Sequence, residues 1–342
     1  MQYHPGGVEA PWFEQPVNGK ICKIASQESQ IAGSVEWIRA VRRLRGENQR
    51  PLTTAQTGAL SRFTGRDGCE EYIEPLTGIA RDPFSEKIGC NSRYNMHTED
   101  GKPVSKYETR YIIPMNLCRP ANSSAPDSGS GCHAGTPGAC RASTVGGGAA
   151  PCGRNLFYDL GCTVYGAPMP PGSIASSAGP SIQFFERMYE RNCIVFDRIW
   201  AWEAIPYDAA SWWRPVPLHV RTKLHFYNLP VNAKWDSDAS ALRTIHATAR
   251  PEDFVVVKVD IDGSGPVELE IVKAIADNPD ISRLVDEVYF EYHFYSADVS
   301  FGWRMQRTNA SERATYTNDT VDDALALMQR LRARGVRSHF WV

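Results

Sequence analysis

The chain has 342 residues, 42% of them hydrophobic and 22% charged, which is enough apolar material for a sizeable core and a length that suggests two domains. Lys and Arg (37) nearly balance Asp and Glu (39), so no basic field argues for nucleic acid and no acidic field for cationic partners. The longest apolar stretches, such as residues 254–259, are strand-sized, far below the roughly 20 residues that cross a bilayer, and no membrane span is expected.

Residues 1–7 carry neither a basic start nor an apolar run, so any signal peptide or anchor is expected to be absent or already removed. Residues 1–118 mix short apolar runs with turn residues and read as an α+β accessory region. Within it, Ser34 is placed to cap a helix running to Leu44, with Val35, Ile38, Val41 and Leu44 on one face. Residues 107–115 read as a strand that Pro114 ends or places at an edge. Residues 119–153 are dominated by Ser, Gly, Ala and Pro and read as a linker or long loop.

From residue 154 to 342 the texture alternates. Strands are expected at 155–161, 196–203, 223–228, 254–260, 287–294 and 336–342. Helices are expected at 181–191, capped by Ser181, at 266–276, and at 321–334, stopped by Gly335. Near-continuous apolar strands separated by helices predict an α/β fold: a Rossmann-like, doubly wound, mostly parallel sheet covered on both faces. The irregular, cysteine-containing region precedes it.

Nine cysteines stand at 22, 69, 90, 118, 132, 140, 152, 162 and 193, seven of them before Asn155. They are either a disulfide framework, which means an oxidising compartment, or buried reduced thiols. Asn122, Asn309 and Asn318 begin N-glycosylation sequons. Together these favour a secretory-pathway lumen or extracellular protein over a cytoplasmic one. The spacing of Cys132, His133, Cys140 and Cys152 matches no short zinc pattern, and no metal site is expected.

Ligands in doubly wound sheets sit beyond the C-terminal ends of the strands, and the turn after the first strand needs small residues so that backbone can approach them. Asp159 and Gly161 are so placed, in the run Asp159-Leu160-Gly161-Cys162-Thr163-Val164-Tyr165-Gly166. At the tip of the second strand stands Glu203, where a carboxylate accepts hydrogen bonds from ribose hydroxyls. It lies 44 positions after Asp159, against the roughly 20 that are usual.

The first of these segments resembles the acidic Gly-x-Gly-x-Gly motif of class I methyltransferases, with Thr163 and Tyr165 at the second and third glycines. Val257-Lys258-Val259-Asp260-Ile261-Asp262-Gly263 resembles the Lys-x-Asp-x-Glu-Gly signature of FkbM-type methyltransferases, with Asp262 in place of Glu. The resemblance spans the five strands from Asn155 to His293. It implies S-adenosylmethionine as cofactor and O-methylation of a sugar or glycoconjugate hydroxyl. The candidate cofactor-binding residues are Asp159, Gly161, Thr163, Ser181, Glu203 and Asp262. Methyl transfer needs an oxygen nucleophile that loses its proton as it attacks, so the candidate catalytic residues are His293, Asp260 and Glu291.

Two rival readings remain open. One is a non-catalytic methyltransferase-like binding module, for which Thr163 and Tyr165 argue. The other is a metal-dependent glycosyltransferase that uses Asp260 and Asp262.

Overall fold

The computed structural model describes residues 1–25, 27–44, 51–65, 68, 70–77, 112–116, 153–166, 181–261, 265–293 and 319–341. Outside them lie residues 107–111 of the expected strand, nearly all of the expected 119–153 linker, the asparagines of the three sequons and Asp262. The chain divides into two compact units, Met1–Ile113 with Phe290–Val342, and Pro114–Tyr289.

The first unit opens with β1 (Gln2–His4), a 3-10 turn at Ala10–Trp12, and helices α1 (Ile21–Ala25), α2 (Glu28–Leu44) and α3 (Thr54–Ala59). Strands β2 (Ser61–Thr64) and β3 (Glu70–Ile73) follow, and β1-β2-β3 form an antiparallel sheet. The second unit carries β4 (Asn155–Leu160), α4 (Ser181–Glu190), β5 (Arg198–Trp202), α5 (Ala209–Trp213), α6 (Leu218–Arg221), β6 (Leu224–Tyr227) and α7 (Ala241–Thr248). It continues through β7 (Phe254–Val259), α8 (Gly265–Asp277), α9 (Pro279–Ser282) and β8 (Glu287–Phe290). Helix α10 (Val321–Ala333) and strand β9 (Arg337–Phe340) end the chain's described elements.

Six strands form one parallel sheet in the order β6-β5-β4-β7-β8-β9. Numbered along the chain this is 3-2-1-4-5-6, an α/β order compatible with a doubly wound, Rossmann-like fold. The strand sequences explain the layering. Every residue of β7 is buried, as expected for a parallel strand covered on both faces. Neighbouring residues of β4 point to opposite faces. Phe157 stacks on Phe185 of α4 and on Phe196, while the Tyr158 hydroxyl meets Thr248 Oγ1 of α7 at 2.7 Å. Tyr158, Trp200 and His225 also stack in register across three strands.

Two expectations in the N-terminal region change. Ser34 is not a cap: α2 begins at Glu28, and the Ser34 hydroxyl donates back to the Gln30 carbonyl at 2.9 Å. Residues 112–116 are not a strand. Side chains take the place of a ladder partner, with Ile113 N–H donating to Glu74 and the Ile113 carbonyl accepting from Arg337.

Arg332 is the polar centre of the first unit. It is 1% exposed, donates to Tyr3, to the Glu74 carbonyl and to the Ser338 carbonyl, and pairs with the carboxylates of Glu9 and Glu74. Helix α10, which carries it, starts on a reciprocal cap between Thr320 and Asp323. Thr320→Ala is expected to cost about 1 kcal/mol, read as a small drop in the thermal unfolding midpoint.

Candidate functional site

The site is built at the C-terminal ends of β4, β5 and β7. Strand β4 stops at Leu160, and Gly161 turns the chain at φ +89°. The N–H groups of Gly161 and Cys162 both donate to the Trp202 carbonyl at 3.0 Å. A Cβ on Gly161 would lie 1.7 Å from the Asp260 carbonyl oxygen, so only glycine lets the turn pass between the ends of β5 and β7.

Thr163 occupies the left-handed region at φ +51°, unusual for a β-branched residue. Two contacts hold it there: its N–H donates to Glu203 Oε2 at 2.9 Å, and its carbonyl accepts from Trp212 Nε1 at 2.8 Å. Tyr165 is buried, and its hydroxyl donates to Glu186 of α4 at 3.2 Å. Where the resembled motif has glycines, this turn therefore keeps the glycine-like backbone at 163 and fixes it with side chains from β5, α5 and α4.

Glu203 follows β5 directly. Its Oε1 accepts from Ile205 N–H at 2.8 Å and its Oε2 from Thr163 N–H, and it is largely buried. A carboxylate offers about four lone-pair sites, so two are used in shaping the turn and the others remain for a ligand. Asn228 closes the same corner, donating to the main-chain carbonyls of Glu203 and Ile205.

Asp159 is completely buried. Ser181, the first residue of α4, donates to its Oδ2 at 2.5 Å, and Lys258 Nζ lies 3.3 Å from its Oδ1. Register explains the second contact, because Asp159 and Lys258 are direct neighbours on paired strands. Lys258 Nζ also reaches Asp260 Oδ2 at 3.1 Å and donates to the Gly161 carbonyl at 2.9 Å.

Burial pushes the Asp159 carboxyl above its ordinary range, although Lys258 and Ser181 act in the opposite sense. Burial alone would lower the Lys258 ammonium, but Asp260 and Asp159 outweigh it and hold the lysine charged. Cys162 is a free, buried cysteine whose thiol is pushed well up by burial, then by Asp159 and Glu203. It is a neutral thiol at neutral pH.

Among the expected residues, the structure brings together Asp159, Gly161, Thr163, Ser181, Glu203 and Asp260. Asp262 lies outside the described residues. Glu291 and His293 belong to the other compact unit, where they face each other at 3.6 Å between Oε2 and Nε2, both buried. Sequence reasoning gave no site role to Lys258 or Asn228. For Lys258 a signal was present: a lone charge within a run of valines, two residues before Asp260 and thus on the same strand face.

No protein-family model matches the chain, and no curated protein or solved structure matches it.

Proposed function

We propose that the second unit is an S-adenosylmethionine-dependent O-methyltransferase, FkbM-type by resemblance, acting on a sugar or glycoconjugate hydroxyl. The observation that carries this is the meeting of the Gly161 turn, the Glu203 carboxylate and Asp260 at the point where the strand order reverses, where doubly wound sheets take their ligands.

The residues fit such a cofactor in part through side chains and in part through backbone. Glu203 keeps acceptor capacity for a ribose diol, and Gly161 lets the turn pass tightly against the end of β7 beside it. Asp159 and Ser181 face each other in the interior, so their part is to support the turn from beneath. The chemistry such a cofactor supplies is an electrophilic sulfonium methyl group. Asp260, paired with the Lys258 ammonium, is placed to accept the hydrogen bond of an acceptor hydroxyl and fix its line of approach.

The same ion pair weighs against the glycosyltransferase reading, because an ammonium already stands where a metal would neutralise Asp260. The binding-module reading draws on Glu203, both of whose oxygens already hold the turn. The state of Cys22 and Cys193, each disulfide-bonded, supports an oxidising compartment, in keeping with a glycan acceptor. Among the described residues no helix is long and apolar enough to cross a membrane.

Calorimetric titration of S-adenosylmethionine and S-adenosylhomocysteine tests the reading. Micromolar binding is expected to the wild type, with a loss of about 10- to 150-fold in Glu203→Ala, the worth of a hydrogen bond to a charged group. Absence of binding to the wild type sinks the methyltransferase reading. Binding that Glu203→Ala leaves unchanged, with its fold intact by circular dichroism, removes Glu203 from the ligand.

A further inference from the structure

We infer that Lys258 is a positioning residue whose buried ammonium ties the Gly161 carbonyl to the carboxylates of Asp159 and Asp260, locking the turn after β4 and the carboxylate after β7 into one arrangement. What that arrangement serves rests on the proposed function; the tie itself rests on geometry alone.

An ammonium has three N–H donors, and three oxygens surround this one, at 2.9, 3.1 and 3.3 Å. Lys258 is 1% exposed and its ammonium is turned to protein oxygens, one of them by a hydrogen bond and two as ion-pair partners, which separates it from a residue that meets substrate. Its neighbours on the strand, Val257 and Val259, are fully buried aliphatics. An aliphatic residue at 258 would satisfy the strand equally well, so the lysine answers to the charges that face it.

Those charges are Asp159 on β4 and Asp260 after β7. Cys162 and Glu203 face the same turn, but Cys162 is a neutral thiol and Glu203 is held by two backbone N–H groups. Asp159 and Asp260 repel one another, and without the ammonium both cannot remain ionised in a dry site. One of them must take up a proton, and the pair then titrates as a unit. Burial already raises the Asp159 carboxyl in the wild type; removing Lys258 takes away its main counter-charge and moves the titration of the pair further up in pH, whereas loss of mere packing leaves it in place.

The sign is fixed by linkage. A carboxyl whose folded pKa is raised stabilises the folded state below its ordinary range, and this is lost as pH rises through the raised value. Thermal unfolding of the wild type, Lys258→Met, Asp159→Asn and the Lys258→Met/Asp159→Asn double variant should be followed from about pH 5.5 to about pH 8.5, with S-adenosylhomocysteine titrations alongside. Lys258→Met is expected to lose midpoint steadily as pH rises, relative to the wild type, and to bind S-adenosylhomocysteine about tenfold or more weakly through misplacement of the turn. Adding Asp159→Asn is expected to remove most of the pH slope and recover at least half of the lost midpoint.

A loss in Lys258→Met that does not vary with pH, or that Asp159→Asn fails to relieve, overturns the inference. Should Lys258→Met not fold, folding of the double variant supports it and failure of both overturns it. Absence of S-adenosylhomocysteine binding to the wild type overturns the proposed function, while the pH and rescue measurements still decide the role of Lys258.

Discussion

Gly161→Ala is expected to destabilise the protein by about 2 to 6 kcal/mol, adding one to three for a left-handed backbone to a similar amount for overpacking. The first contribution follows from φ +89°, where L side chains are strained. The second follows from the atom the new methyl would strike, the Asp260 carbonyl oxygen at 1.7 Å. That oxygen is backbone and cannot swing aside as a side-chain tip can. The turn or the end of β7 must move, and either movement pulls Lys258 from one of its three partners. Gly335 supplies the control: it has the same φ of +89°, and a Cβ there meets nothing within 4 Å. Gly335→Ala is expected to cost only the backbone contribution, about 1 to 3 kcal/mol. Thermal unfolding of both variants separates the two contributions. Equal losses would show that the turn is free to relax and that the close approach of β4 and β7 is not a constraint. S-adenosylhomocysteine binding is expected to vanish in Gly161→Ala and to persist in Gly335→Ala.

The sheet was readable because its strands announce themselves in short-range pattern. Val255-Val256-Val257 is buried on both faces, and an apolar run of that length between polar turns has few other uses. The six strands and the helices at α4, α8 and α10 fall within a few residues of where periodicity puts them. Elements whose stability is long-range were not readable. Strand β3 reads Glu70-Glu71-Tyr72-Ile73 and is defined by pairing with Ser61–Thr64, not by its own pattern. Helix α7 is only eight residues long, and its apolar face of Leu242 and Ile245 is too short to stand out among Arg243, Thr244 and His246. In α2, Gly33 looks like a stop but is a close-packing position, since a Cβ there would lie 2.4 Å from Val8 Cγ2. The helix runs straight through it from Glu28, and Ser34 becomes an interior residue.

At the candidate site, sequence located the residues better than it assigned their tasks. Asp159, Gly161, Glu203 and Asp260 lie at strand ends because the alternation of strand and helix puts them there. That Asp159 faces inward, onto Ser181 and Lys258, depends on the register Asp159↔Lys258, which no local pattern encodes. That Glu203 clasps the turn depends on Thr163 adopting φ +51°, which residue preferences oppose. Position along a strand is local information. Which way a charged group turns is decided by the charge facing it from another strand.

Replacing Arg332 by Met is the second large effect, with an expected cost of about 3 to 5 kcal/mol, the usual consequence of removing one partner from a buried ion pair. Arg332 is 1% exposed and faces Glu9 and Glu74, both buried, while Met fills similar volume without charge. Other groups share part of the load. Glu9 also accepts from Ser61 at 2.6 Å and from Leu76 N–H at 2.8 Å, and Glu74 meets His339 Nδ1 at 2.6 Å. Burial alone would raise the Glu74 carboxyl, but His339 first and Arg332 next overcome it and hold the group below its ordinary range. A lowered folded pKa contributes stability that is present above the ordinary carboxylate range and drains away as pH falls through the folded value. Removing Arg332 lets the Glu74 carboxyl rise, so the variant suffers most at neutral pH, where Glu74 loses the guanidinium that helps hold it below its ordinary range. As pH falls, protonation of Glu74 relieves its orphaned charge and the gap between variant and wild type should narrow. Adding Glu9→Gln to Arg332→Met should narrow the gap at neutral pH as well, because a buried charge is removed with its partner. A gap that stays constant with pH would mean that the guanidinium acts through its hydrogen bonds to the Glu74 and Ser338 carbonyls, and that its charge is incidental.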